Sequence, residues 1–116
     1  MSPKSKPTRV PGVRVCGIAD ALDVVGDRWA LLVLRELDFG VHRFNDIRAR
    51  TGAPRDTLEV RLRDLEQAGL IARRQYCEHP PRDEYVLTPS GAAMRPVLAE
   101  LRTWGETYVR KTESAV

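Results

Sequence analysis

Long apolar runs are missing from this 116-residue chain, and none approaches the roughly 20 residues that span a bilayer. The N-terminal segment has no apolar signal-peptide core either, so a cytoplasmic protein is expected. Cysteine is scarce. Cys16 and Cys77 lie far apart, which argues against a disulfide framework and predicts two free thiols. Histidine is equally scarce, and of Cys16, His42, Cys77 and His79 only the last two are close in sequence. No spaced pair of ligands builds a zinc motif from them. A Gly-rich phosphate loop, a nucleophile elbow and a Glu-rich metal helix are absent as well. The carboxylates lie scattered among arginines, as on solvated helix faces. No enzyme, metal or cofactor is therefore expected.

What is present suits one soluble domain: 116 residues, 42% of them hydrophobic and 30% charged. The net charge of +3 is unevenly spread. Residues 1–15 carry Lys4, Lys6, Arg9 and Arg14 with no acid, and residues 43–82 hold a second basic excess. Residues 16–42 are acidic on balance. Clustering of positive charge, more than its total, marks a nucleic-acid surface.

The informative stretch runs from Phe44 to Leu87. Leu58, Leu62 and Leu65 recur at i, i+4 and i+7, one apolar stripe of a helix over 54–68. Gly69 stands where a left-handed residue ends a helix, with Leu70 placed to close back onto Leu65. Upstream, Phe44 and Ile47 suggest a shorter helix, and Thr51-Gly52-Ala53 a tight break. Helix, short turn and second helix make a helix-turn-helix. The stripe would leave Arg55, Thr57, Arg61 and Asp64 pointing outward. Residues 71–76 and 84–87 are β-prone and bracket a polar loop over 77–83, which reads as a hairpin bearing Arg73, Arg74 and Arg82. The expected fold is mainly α (α+β), a winged helix-turn-helix with a two-stranded wing over 71–87.

The flanks complete the layout. Residues 1–14 are Pro-rich and basic, and read as a flexible arm. Ile18, Leu22 and Val25 mark a short helix that Gly26 ends, and Asp27 can cap a nearly all-apolar helix through residues 29–34. Trp29 in that helix reads as core. Thr88-Pro89 starts a terminal helix with Val97, Leu101, Trp104 and Tyr108 on one stripe, and Pro96 should bend it. So small a domain has little left to cover that stripe, so a second copy is expected there. The winged-helix domain then spans 15–112, with a tail at 113–116.

Taken in order, several residues resemble the HxlR-type transcription regulators. They are Gly26-Asp27-Arg28-Trp29, Leu32, Leu34, Leu37, Gly40, Arg43-Phe44, Leu58, Leu62, Leu65, Gly69-Leu70 and Arg73. Pro80-Pro81-Arg82, Tyr85, Leu87-Thr88, Gly91 and Trp104 continue the set. The resemblance implies a bacterial dimer that joins through its first and last helices, Ile18 and Leu22 included, and binds an inverted-repeat operator on double-stranded DNA. Arg55, Thr57 and Arg61 would reach base edges, Arg61 foremost, while Arg43, Arg73, Arg74 and Arg82 would meet phosphates. Family members often carry a cysteine at the start of the first helix, some of them to sense oxidants or electrophiles. Cys16 matches that position, and packing as a small inert hydrophobe is its other reading. Gly17, Glu59 and Cys77 depart from the family pattern. Two alternatives stay open: a regulator answering a non-covalent small-molecule effector, and a winged helix that meets an acidic protein through Arg55, Arg61 and Arg82.

Overall fold

Caps and stops set the first boundaries. The computed structural model describes Gly12 and residues 14–110, so all but Gly12 and Arg14 of the expected arm, and the 113–116 tail, lie outside the described residues. Helix α1, Gly17–Val25, starts at Cys16, whose backbone is extended and whose Sγ accepts from the Ala19 amide at 3.5 Å. It stops at Gly26, where a Cβ would run into the Leu22 carbonyl. Asp27 caps α2, Arg28–Asp38, by accepting from the Trp29 amide at 2.8 Å.

Helix α2 is the centre of the molecule. Ala30, Val33, Leu34 and Leu37 are buried along it, and Trp29 packs against the edge of the same core. It touches α1, α3 (Phe44–Thr51), α4 (Arg55–Gln67), the second wing strand and the terminal helix α6 (Arg95–Tyr108). Helix α4 adds Leu58, Leu62 and Leu65, all buried, each removal from water contributing about 1.5–3 kcal/mol.

The turn between α3 and α4 is held by Thr51, whose hydroxyl donates to the Ile47 carbonyl at 2.8 Å and accepts from the Ala53 amide at 3.2 Å. Gly52 supplies the left-handed φ of +80° that this turn needs. The end of α4 follows the expected Schellman pattern. Gly69 has φ +85°, and the Leu70 amide donates to the Leu65 carbonyl at 3.0 Å.

Strands β1 (Ile71–Glu78) and β2 (Pro81–Leu87) pair antiparallel, Ile71 opposite Leu87 and Glu78 opposite Pro81. The expected seven-residue loop over 77–83 is therefore corrected: most of it is ladder, closed by a tight turn at His79-Pro80. Pro81 sits at the first position of its strand, where a proline is tolerated in a sheet. A bulge lies between Gln75 and Cys77 and leaves Tyr76 outside the register. On the outer edge of β2 the Tyr85 amide donates to the His42 carbonyl at 2.8 Å, and His42 Nδ1 lies 2.8 Å from the Tyr85 carbonyl. This ties the α2–α3 loop to the wing.

The C-terminal segment differs from expectation too. It forms α5, Pro89–Ala92, capped by Thr88, then a break, then α6. Pro96 does not bend one long helix; it lies in the first turn of α6, where a missing N–H loses no intrahelical bond. No residue of α6 is buried. Val97, Leu101, Trp104 and Tyr108 stay exposed on it, as do Ile18 and Leu22 on α1. The Trp104 and Tyr108 rings lie 5.8 Å apart, one turn from each other.

Candidate nucleic-acid interface

With Leu58, Leu62 and Leu65 turned inward, the exposed residues of α4 are Arg55, Asp56, Glu59, Arg63, Asp64 and Gln67. Thr57 and Arg61 are only partly exposed. Arg61, expected to point fully outward, does not: its side chain is 31% exposed. It stands three residues from Leu58, only about 60° around the helix from the apolar stripe. Its guanidinium turns toward the start of α2, with Nη1 3.9 Å from Asp27 Oδ2 and 3.6 Å from Asp64 Oδ2. Its Nε is buried and meets no acceptor among the described residues. Arg61 is thus tied to the joint between α1 and α2.

Arg63 is the residue that the sequence reading missed. It stands five residues from Leu58, about 140° around the helix, and is exposed. No hydrogen bond or ion pair engages it among the described residues. Helical geometry alone would have found it, had each arginine been placed by angle from the stripe.

The other cations fall into two groups. Arg73 Nε donates to Glu66 Oε2 at 3.3 Å, a bond from wing to α4 that also raises the guanidinium pKa further. Arg74 donates to Glu84 Oε2 through Nε at 2.9 Å and Nη2 at 2.6 Å. These two are already paired, so a phosphate would have to compete for them. Arg82 is exposed opposite Cys77, with no such partner among the described residues. Arg43, just before α3, lays its guanidinium 4.0 Å from the centre of the bulged Tyr76 ring. Arg55 sits over Phe44 at 5.3 Å, with Nε 4.0 Å from Glu59 Oε2. Tyr85, half-buried beneath this surface, has its phenol pushed up by burial, with the Arg73 guanidinium opposing, and stays neutral.

The remaining candidates are dispersed. Cys16 and Cys77 are half-buried free thiols, one at the start of α1 and one on the wing. Among the described residues no group of three or more His, Cys, Asp or Glu could hold a metal ion. Among them, too, no helix is long and apolar enough to cross a membrane.

The helix-turn-helix is also what a family comparison finds. The family model described as HxlR-like helix-turn-helix matches residues 24–113. The chain belongs to the HxlR-like family. Among its HxlR-like relatives is the HTH-type transcriptional regulator Rv3095 of Mycobacterium tuberculosis, 43% identical over 96 residues. That match covers 83% of this chain and 61% of the relative, so the chain spans less than two thirds of the mycobacterial protein. The HTH-type transcriptional regulator YdeP of Bacillus subtilis is 37% identical over 106 residues, 86% of this chain and 81% of that protein. The redox regulator HypR in its oxidized form superposes with a TM-score of 0.73 at 30% identity, covering 83% of this chain and 100% of HypR. The reduced form of the transcriptional regulator YodB from Bacillus subtilis gives 0.69 at 28% identity, over 84% of this chain and 97% of YodB. The fold is the winged helix of these regulators.

Proposed function

We propose that this HxlR-like protein is a dimeric transcription regulator that binds an inverted-repeat operator. Helix α4 enters the major groove and the wing lies along the phosphate backbone. The observation that carries this reading is the set of arginines on the helix-turn-helix and wing that are exposed and, among the described residues, without a carboxylate bond: Arg43, Arg48, Arg50, Arg63 and Arg82. Phosphate contacts from such residues hold the register, and the α4 residues that reach base edges read sequence. The exposed stripes of α1 and α6 support a contact between two copies, which would set two α4 helices about 34 Å apart. Thr57, only partly exposed, remains a candidate for a secondary base contact.

Binding to duplex DNA should therefore fall steeply with salt. Arg82→Ala is expected to weaken binding to all sequences alike and to lower the slope of log affinity against log salt by about 0.9. Gel-shift titrations at several salt concentrations measure this. A variant that instead relaxes preference at one base position would make the wing a reader of sequence.

A regulatory role for Cys16 is supported by its place. It caps the helix proposed for the dimer contact, and two structural neighbours, the redox regulator HypR and YodB, were solved in defined redox forms. Hydrogen peroxide would oxidise the thiolate to a sulfenic acid and release hydroxide, altering the start of α1 and with it the spacing of the two α4 helices. Mild peroxide is expected to lower operator binding by the parent and to leave Cys16→Ser unaffected. An equal loss in both proteins removes Cys16 as the sensor and points to the other free thiol, Cys77, while no loss in either leaves a non-covalent effector.

A further inference from the structure

We infer that Arg55 and Glu59 form a base-reading pair, so that each half-site holds a guanine contacted by Arg55 and a cytosine contacted by Glu59. This rests on the regulator reading above and says what the operator contains. Arg55 and Glu59 sit one turn apart in the first half of α4, the half that leads into the groove in helix-turn-helix proteins. Both side chains are open, 59% and 53% exposed, so the Arg55 terminal nitrogens and the Glu59 carboxylate remain available.

Arg55 is held without being closed off. The Phe44 ring lies under its guanidinium at 5.3 Å, and Glu59 Oε2 stands 4.0 Å from Nε. The wing pairs are different: Arg74 bonds Glu84 at 2.6 Å and Arg73 bonds Glu66 at 3.3 Å. A long, loose pair limits where the arginine can swing while leaving its donors free, which reduces the entropy lost when it meets a base.

The chemistry of the neighbour then decides what Arg55 meets. A carboxylate so close makes a poor phosphate clamp, because it repels the same anion that the arginine would attract. In the major groove it meets amino donors. Cytosine N4 is the usual partner of Glu, and guanine O6 and N7 are the usual partners of Arg. Asp56 on the same exposed turn adds to the repulsion from phosphate and strengthens the preference for base edges.

The test is selection from a random-sequence duplex library with the full chain, its Arg55→Ala variant and its Glu59→Ala variant, each checked for an unchanged melting curve. The parent should enrich half-sites with a fixed guanine and a fixed cytosine. Arg55→Ala should lose the guanine preference, and Glu59→Ala the cytosine preference, each by about 5- to 150-fold in discrimination. Glu59→Ala should also bind random duplex more tightly than the parent at low salt, since a phosphate-repelling charge is gone. The same enriched half-site from all three proteins, or a parental half-site without these bases, overturns the pair. A parent that retains no duplex at all removes the regulator reading, and this inference with it.

Discussion

Leu101→Asp is expected to turn the proposed dimer into monomers and to lower affinity for a two-half-site operator by about 10²- to 10⁴-fold. Leu101 is 49% exposed in the protomer, on a helix with no buried residue. Val97, Trp104 and Tyr108 continue the same face, and α1 offers Ile18 and Leu22. A second copy covering that face would bury the new carboxylate without a partner, at a cost of several kcal/mol. The protomer fold should survive, because its own core lies elsewhere, on α2 and α4. Light scattering reads the mass and gel shifts read the affinity. A dimer that persists with full affinity would move the subunit contact away from α6. Half-site binding should be nearly unchanged, since it requires only one α4 and one wing.

Gly91→Ala is expected to lower the melting temperature by about 5–20 °C, the equivalent of about 1–3 kcal/mol of overpacking in a domain of this size. A Cβ at Gly91 would run into the Leu70 carbonyl oxygen and come within 3.1 Å of Leu87 Cδ2. The first obstacle is backbone and cannot rotate away. That carbonyl already accepts from the Thr88 amide at 3.0 Å, and the neighbouring Gly69 carbonyl accepts from the Thr88 hydroxyl at 2.6 Å and the Ser90 hydroxyl at 3.1 Å. Moving it would disturb the joint where α5 docks on the end of α4. Gly17→Ala is the control. A Cβ there meets nothing within 4 Å, and alanine in a first helical turn should be neutral or stabilising by up to about 1 kcal/mol. If both variants melt alike, the α5 joint is looser than its packing indicates.

The Arg61 side chain lies between α4 and the start of α2. Its partner Asp27 caps α2 at the end of α1, so Arg61 links α4, the helix proposed for the groove, to the helix proposed for the subunit contact. Arg55 and Arg63, in contrast, are exposed on α4. Replacing Arg61 by glutamate would set three carboxylates together, and a loss of binding would then report on folding as much as on contact.

Much of the fold was already determined by the amino-acid sequence, because its signals act within one or two turns of chain. The Leu58, Leu62 and Leu65 spacing, the Gly69 stop, the Gly52 break and the Asp27 and Thr88 caps each depend on neighbours a few residues away. The family resemblance rested on the same residues in order. Tertiary structure alone decided what depended on distant partners. The wing ladder ran on through Cys77 and Arg82 because cross-strand pairing outweighed the loop character of a proline-rich stretch. Pro96 became the start of a helix instead of a kink, because the chain breaks at Ala93 and Met94, where α5 docks against Leu70. Arg61 turned toward Asp27, and stayed only partly exposed, because that residue, remote in sequence, is brought beside it by the packing of α2 on α4. A side chain near the edge of an apolar stripe can face either way, and only its neighbour in space settles which.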